Sequence, residues 1–221
     1  MPEGFINING DNVQVLEIIF LTTLITLLPS LVIMMTSFTR YIVVFSFLRT
    51  AMGTQQTPPN MVLVGLALFL TLFTMSPVIN EIQTEAFEPY EAGEIDQQEF
   101  LTRASVPLKN FMLEETEIST LGMYCEMAQV DMPADMEATK ALPLRIVVPA
   151  FVTCELKRAF EIGFYLYIPF LLIDVIVAST LMSMGMVMLP PSMISMPFKL
   201  LFFIALDGWQ LLFSTLVGGF R

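Results

Sequence analysis

Asp174, Lys199 and Asp207 stand inside long apolar runs and are the side chains best placed to do chemistry in this sequence. A charge at membrane depth costs about 2.5–3.5 kcal/mol on insertion scales, so each should be paired or face a wet cavity. Asp174 and Lys199 have opposite signs and lie in successive, antiparallel segments. Two roles suit them: a buried ion pair, or a proton relay that also uses Asp207. A relay needs more titratable groups than these segments supply, which favours the pair. Counting outward from Pro190, Asp174 is 16 residues back and Lys199 is 9 forward, so a simple hairpin would not set them level. An offset hairpin, or contact between neighbouring subunits, would join them.

Methionine supplies a second pattern. Met182, Met184, Met186, Met188, Met193 and Met196 place six of the 17 methionines within fifteen residues. On a helix, alternate positions would split onto two faces, Met184 with Met188 and Met182 with Met186. Gly185 and Pro190-Pro191 favour a distorted segment, in which they would share one side. Unbranched thioethers fill irregular gaps and repack cheaply. They could form a gap-filling core, or a ring from several subunits that seals a pore yet yields to a passing polypeptide.

Catalysis finds little support. The chain has no histidine, which removes His-dependent triads and the H-E-x-x-H zinc motif. There is no nucleophile elbow and no phosphate-cradling Gly-rich loop. Ile173-Asp174-Val175 and Leu206-Asp207-Gly208 give no shared context for an aspartyl pair. No cofactor or metal is expected, because clustered ligands are missing. Cys125 and Cys154, 29 residues apart, are read as two ordinary thiols, with a disulfide as the alternative if both face an oxidising compartment. Nucleic acid is disfavoured for want of a basic patch.

The elements that position these residues follow from hydropathy. Hydrophobic residues make up 55% of the chain, the mean hydropathy is +0.72 and 14% of residues are charged, against about 25% in a soluble domain. Residues 18–39 and 50–80 carry no charge, and 162–189 carry only Asp174. Such runs are long enough to cross about 30 Å of hydrocarbon. The pattern predicts an all-α integral-membrane protein. It has four long apolar helical segments in hairpins and a helical extracytoplasmic insert. The expected divisions are a polar loop over 1–12, apolar helices one and two over 13–79, an acidic insert over 80–150, and apolar helices three and four over 151–221.

Segment one runs from Val13 to Leu48. At about 1.5 Å per residue it is too long for one straight crossing, and Pro29 should kink it. Pro58-Pro59 suits the entry to segment two, over 61–79. Pro169 should bend segment three, which Pro190-Pro191 ends. Within the insert, Leu108, Phe111, Met112, Ile118, Leu121, Tyr124, Cys125 and Ala128 recur at helical spacing, predicting one amphipathic helix from Pro107.

Between Asn80 and Pro149 stand 14 acidic and 4 basic residues, a balance of −10 out of a net −11. Arg40 and Arg49 separate segments one and two. By the positive-inside rule the insert and both termini then face outward. Lys157 and Arg158 sit on the wrong side for that rule, which argues against ordinary lipid-facing spans. Met1-Pro2-Glu3-Gly4 lacks the basic start of a secretory signal. Either the first apolar segment directs insertion or a signal preceded this chain.

Several motifs carry a family resemblance. Leu28-Pro29-Ser30, Thr36-Ser37-Phe38-Thr39-Arg40 and the run from Leu48-Arg49-Thr50 to Pro58-Pro59-Asn60 closely resemble the FliP family of flagellar export-gate proteins. So do Glu155-Leu156-Lys157-Arg158-Ala159-Phe160, Ile168-Pro169-Phe170, Pro197-Phe198-Lys199-Leu200 and Asp207-Gly208-Trp209-Gln210. The resemblance covers nearly everything beyond residue 12, with the insert matched only in its helical pattern. It implies a pentamer joined by FliQ-like and FliR-like subunits in the bacterial inner membrane, at the flagellar basal body. Unfolded flagellar proteins would be the substrates and membrane lipids the surroundings. It also implies a closed assembly raised above the membrane plane. The family's methionine gasket falls on Met186-Val187-Met188. Val187 stands where a third methionine is usual, which brings in Met184. Injectisome homologues share the fold, and Thr36-Ser37-Phe38-Thr39-Arg40 points to the flagellar branch. The rivals from other classes are an ion-coupled transporter using Asp174, Lys199 and Asp207, and a scaffold that only nucleates its partners.

Overall fold

The computed structural model describes residues 5–8, 11–14, 19, 22–23, 26–27, 30 and 33–220 apart from 55, 134 and 187. The kink expected at Pro29 and the departure at Val187 lie outside the described residues.

The described chain is helical except for an antiparallel hairpin of β1 (Phe5–Ile8) and β2 (Asp11–Gln14), paired Phe5 to Gln14 and Ile8 to Asp11. This corrects the loop expected over 1–12 at residues 5–8 and 11–12, and removes Val13 from the first apolar helix. Asn9-Gly10, between the strands, is the dipeptide most prone to a two-residue turn.

Helix α1 (Phe38–Met52) buries Arg40, Tyr41, Val44, Phe45, Leu48, Ala51 and Met52, one face at spacings of three and four. Gly53 ends it at φ 75°, a left-handed cap that side chains resist. Segment two is not one rod. Helix α2 (Asn60–Thr74) stops at Met75 and α3 (Ser76–Ile82) restarts with Pro77 in its first turn. The two parts meet at a bend of 59°. A π-turn (Gln83–Phe87) and α4 (Glu88–Glu91) carry the chain into the insert.

The insert's amphipathic pattern resolves into two helices, α5 (Gln97–Glu114) and α6 (Ile118–Met127). Asp96 caps α5 by accepting the Glu99 N–H at 2.7 Å. Pro107 lies inside α5 rather than at a start, and Ile118 is exposed. The short α7 (Met136–Thr139) follows.

Helix α8 (Leu144–Ser183) has 40 residues, about 60 Å of rod, or twice the hydrocarbon thickness. It runs unbroken through position 150 and through Pro149 and Pro169. Its first half is packed against α1, α5 and α6. At Gly163 a Cβ would lie 2.5 Å from the Phe47 ring, so glycine lets α1 approach. Its second half exposes Phe164, Tyr165, Leu172, Val175 and Ile176. Helices α9 (Pro191–Ala205) and α10 (Gly208–Gly218) form segment four, bent by 63° at Asp207. Among the described residues one helix, α8, is long and apolar enough to cross a membrane, or up to three spans if each bent pair counts as one. Of the four apolar segments expected, segment three is thus one long helix and segments two and four are bent pairs.

Two cores result. One joins α1, α2, α8, α9 and α10 around Tyr41, Phe45, Leu48, Leu63, Phe170, Phe203 and Leu216. The other packs the insert on the base of α8 through Phe111, Met112, Leu121, Ile146, Val147 and Phe151. Each fully buried aromatic among them contributes about 1.5–3 kcal/mol.

Candidate functional site

Helix α8 ends in a Schellman motif. Gly185, at φ 75°, donates to the Met182 carbonyl at 3.0 Å, and the Met186 N–H donates to the Leu181 carbonyl at 3.0 Å. Those two bonds satisfy carbonyls that the helix end would otherwise orphan. They also turn residues 184–186 out of the helix and, with 188–190, present the methionines at the tip of the α8–α9 hairpin. Met184 is 68% exposed, Met186 39% and Met188 98%. None of the three is core of this chain, so the gap-filling reading fails within a single subunit.

Below the tip the structure brings Asp174 and Lys199 together. The Lys199 ammonium donates to Asp174 Oδ2 at 2.6 Å and to the Ala51 carbonyl at 3.0 Å. Ser195 donates to Asp174 Oδ1 at 2.5 Å. The pair lies within one chain because α8 ends at Ser183 and α9 starts only at Pro191. Asp174 is nine residues before the end of α8 and Lys199 eight after the start of α9, so the two are level. Counting from Pro190 charged the whole turn to one arm of the hairpin. The cluster ties α8, α9 and the end of α1 at one height.

Asp207 is not part of this cluster. It is eight residues past Lys199, about 12 Å along the chain axis. It adopts φ 48°, and its side chain makes no capping hydrogen bond. Left-handed geometry costs a residue with a Cβ about 1–2 kcal/mol, which the surrounding packing must hold.

A second charged centre escaped the sequence reading. Arg40, 2% exposed, donates from Nε to Glu155 Oε2 at 2.8 Å and from Nη2 to Glu155 Oε1. Its Nη2 also reaches Glu115 at 2.9 Å, its Nη1 reaches the Gly219 carbonyl at 3.1 Å, and its Cζ lies 3.5 Å from the Phe220 ring centroid. Glu155 is fully buried, and Arg158 pairs with Glu115. Lys157 donates to both Glu117 oxygens at 2.9 Å. Arg40 therefore fastens α1, α8, the α5–α6 break and the end of α10, at the seam between the two cores. It is not a loop charge, which leaves Arg49 as the cation between segments one and two, and Lys157 and Arg158, the exceptions to the topology rule, are held by the insert's acids. Arg40 and Glu155 are opposite charges in helical segments, as Asp174 and Lys199 are, but at 115 residues apart the sequence carries no sign of their pairing.

Cys125 and Cys154 are both buried free thiols, and Cys154 Sγ accepts the Glu117 N–H at 3.3 Å. Among the described residues no three His, Cys, Asp or Glu side chains converge to hold a metal ion.

The family profile of FliP matches residues 21–216, nearly the whole of this architecture. The chain belongs to the FliP family. It is 47% identical over 221 residues to the flagellar biosynthetic protein FliP of Bacillus subtilis, covering 98% of this chain and 99% of that one. It is 47% identical over 214 residues to FliP of Pectobacterium carotovorum, covering 96% and 82%. FliP of Aquifex aeolicus is 46% identical over 213 residues, covering 96% and 88%. Within a FliP-family chain, then, the exposed methionine tip and the two ion-pair centres beneath it form the candidate site.

Proposed function

We propose that this chain is a pore-forming subunit of the flagellar type III export gate in the bacterial inner membrane. Other copies of itself and FliQ-like and FliR-like subunits would complete a conduit for unfolded flagellar proteins. The observation that carries the reading is the tip: Met184, Met186 and Met188 are exposed on a turn fixed by Gly185 at the end of a 40-residue apolar helix. Flexible apolar side chains held on a fixed backbone suit a seal that must part for a polypeptide and close again. The apolar second half of α8 and the exposed side chains of α2, including Met61, Phe69 and Phe73, need lipid or protein cover, which an assembly supplies.

An ion-coupled transporter fits less well. Asp174 and Lys199 neutralise each other and are further occupied by Ser195 and Ala51, while Asp207 stands apart. The pair is read here as a brace that keeps the hairpin tip at a set height. The test is a Met184→Ala, Met186→Ala, Met188→Ala variant, assayed for complex yield and for small-molecule leakage in cells. Unchanged yield with raised leakage supports the seal. Reduced yield with normal leakage refutes it.

A further inference from the structure

Beside the methionine tip the structure holds a cavity of about 650 Å³ lined by Arg49, Thr50, Gly53, Thr54, Ser192, Met193 and Met196. We infer that this cavity binds the phosphate group of an anionic amphiphile, with the Arg49 guanidinium as its main recognition element.

Arg40, Arg103, Lys157, Arg158 and Lys199 each meet a carboxylate, and Lys109 donates to the Lys140 carbonyl. Arg49 is half-buried, lines the cavity and has no such partner among the described residues. A guanidinium carries five N–H donors in a fixed fork matched to phosphate and carboxylate oxygens. Its place in the last turn of α1 favours a cation there but satisfies none of those donors directly.

The polar side of the wall continues the same chemistry. Thr50 is spent on the Ser46 carbonyl at 2.9 Å, and Thr54 reaches the Arg49 carbonyl only at 3.5 Å. Ser192 offers a hydroxyl, and its N–H lies in the first turn of α9, beyond any intrahelical acceptor. Met193 and Met196, on the same helix as Ser192, add apolar side chains to the lining. Nearby Lys199 is already neutralised by Asp174, so the local charge facing the cavity is that of Arg49. A cavity of this size exceeds what a lone carboxylate fills and falls in the range that takes a small-molecule ligand. A lining that joins the Arg49 guanidinium and hydroxyls with methionine side chains matches a phospholipid better than a free ion.

The test uses the full-length chain in detergent. Wild type and Arg49→Gln are titrated with phosphatidylglycerol, phosphatidylcholine and inorganic phosphate, read by native mass spectrometry and by unfolding temperature. Charge-assisted hydrogen bonds of this kind change affinity by roughly ten- to a hundredfold. Wild type should retain phosphatidylglycerol over phosphatidylcholine, and Arg49→Gln should lose that preference by about this factor. Protection of wild type by inorganic phosphate alone would place a free anion at the same site and support the recognition chemistry. Equal phosphatidylglycerol binding by both proteins, or a cross-link from position 49 to a carboxylate of a neighbouring subunit without lipid, would overturn it. Should Arg49→Gln fail to fold, Ser192→Ala carries the same comparison, because its hydroxyl lies on the cavity wall.

Discussion

Glu155→Ala should be among the most damaging single substitutions in this chain, and the reason is Arg40. The substitution removes two of the four hydrogen bonds made by a guanidinium that is 2% exposed. Breaking a buried ion pair from one side costs about 3–5 kcal/mol, because the remaining charge loses its compensation. Glu115, the Gly219 carbonyl and the Phe220 face still attend Arg40, so the lower end of that range, about 3 kcal/mol, is expected. For a chain of this length, 1 kcal/mol moves the midpoint by about 2–4 °C, giving a fall of roughly 6–12 °C. Glu115→Ala leaves the Arg40–Glu155 fork intact and frees the partly exposed Arg158, so its loss should be about 1 kcal/mol or less. Arg40→Met with Glu155→Leu removes both charges and should recover most of the Glu155→Ala loss. Thermal unfolding of the four detergent-purified proteins decides the matter. Equal losses for Glu155→Ala and Glu115→Ala, or a double variant no better than Glu155→Ala, would show that Arg40 does not depend on Glu155 for its compensation.

Three further outcomes follow from the geometry. Asp174→Ala leaves the nearly buried Lys199 ammonium with only the Ala51 carbonyl and should reduce the yield of complex sharply on size exclusion. The charge-swapped pair should recover little, because a carboxylate at 199 would face that same carbonyl. Gly163→Ala drives a methyl into the Phe47 ring and should destabilise by about 1–3 kcal/mol in the same unfolding assay, whereas Gly185→Ala meets no atom and should cost only the left-handed backbone, about 1 kcal/mol. Cysteine at Glu94, an exposed position, should react with impermeant maleimide when the outer barrier alone is opened, if the insert is extracytoplasmic. Glu115 is a poor site for that probe because it is held by Arg40 and Arg158.

What the sequence made legible was charge and hydropathy. The helical character, the acidic insert and the special standing of Asp174 and Lys199 all follow from opposite charges set in apolar runs. Their register did not, because hairpin height depends on how many residues leave the helix at the turn. The breaks at Met75 and Asp207 were hidden for a related reason: an apolar run reads the same whether straight or bent. Ser76-Pro77 and Asp207-Gly208 were the local signs. The Arg40–Glu155 fork joins residues 115 apart, and nothing in one sequence pairs such distant positions. Arg40 also follows the polar stretch Thr36-Ser37, which made it look like a loop charge. The β-hairpin was signalled by Asn9-Gly10, but its strands are too short and polar for period-two alternation to stand out.

The central claim is that the methionine tip lines the path of exported chains. Placing a photoreactive amino acid at position 188, and separately at 123 on the insert, in cells carrying a stalled flagellar substrate tests it most directly. A substrate-dependent adduct is expected at position 188 and none at 123. Adducts at 188 to neighbouring subunits or lipid only, whether or not substrate is stalled, would contradict it.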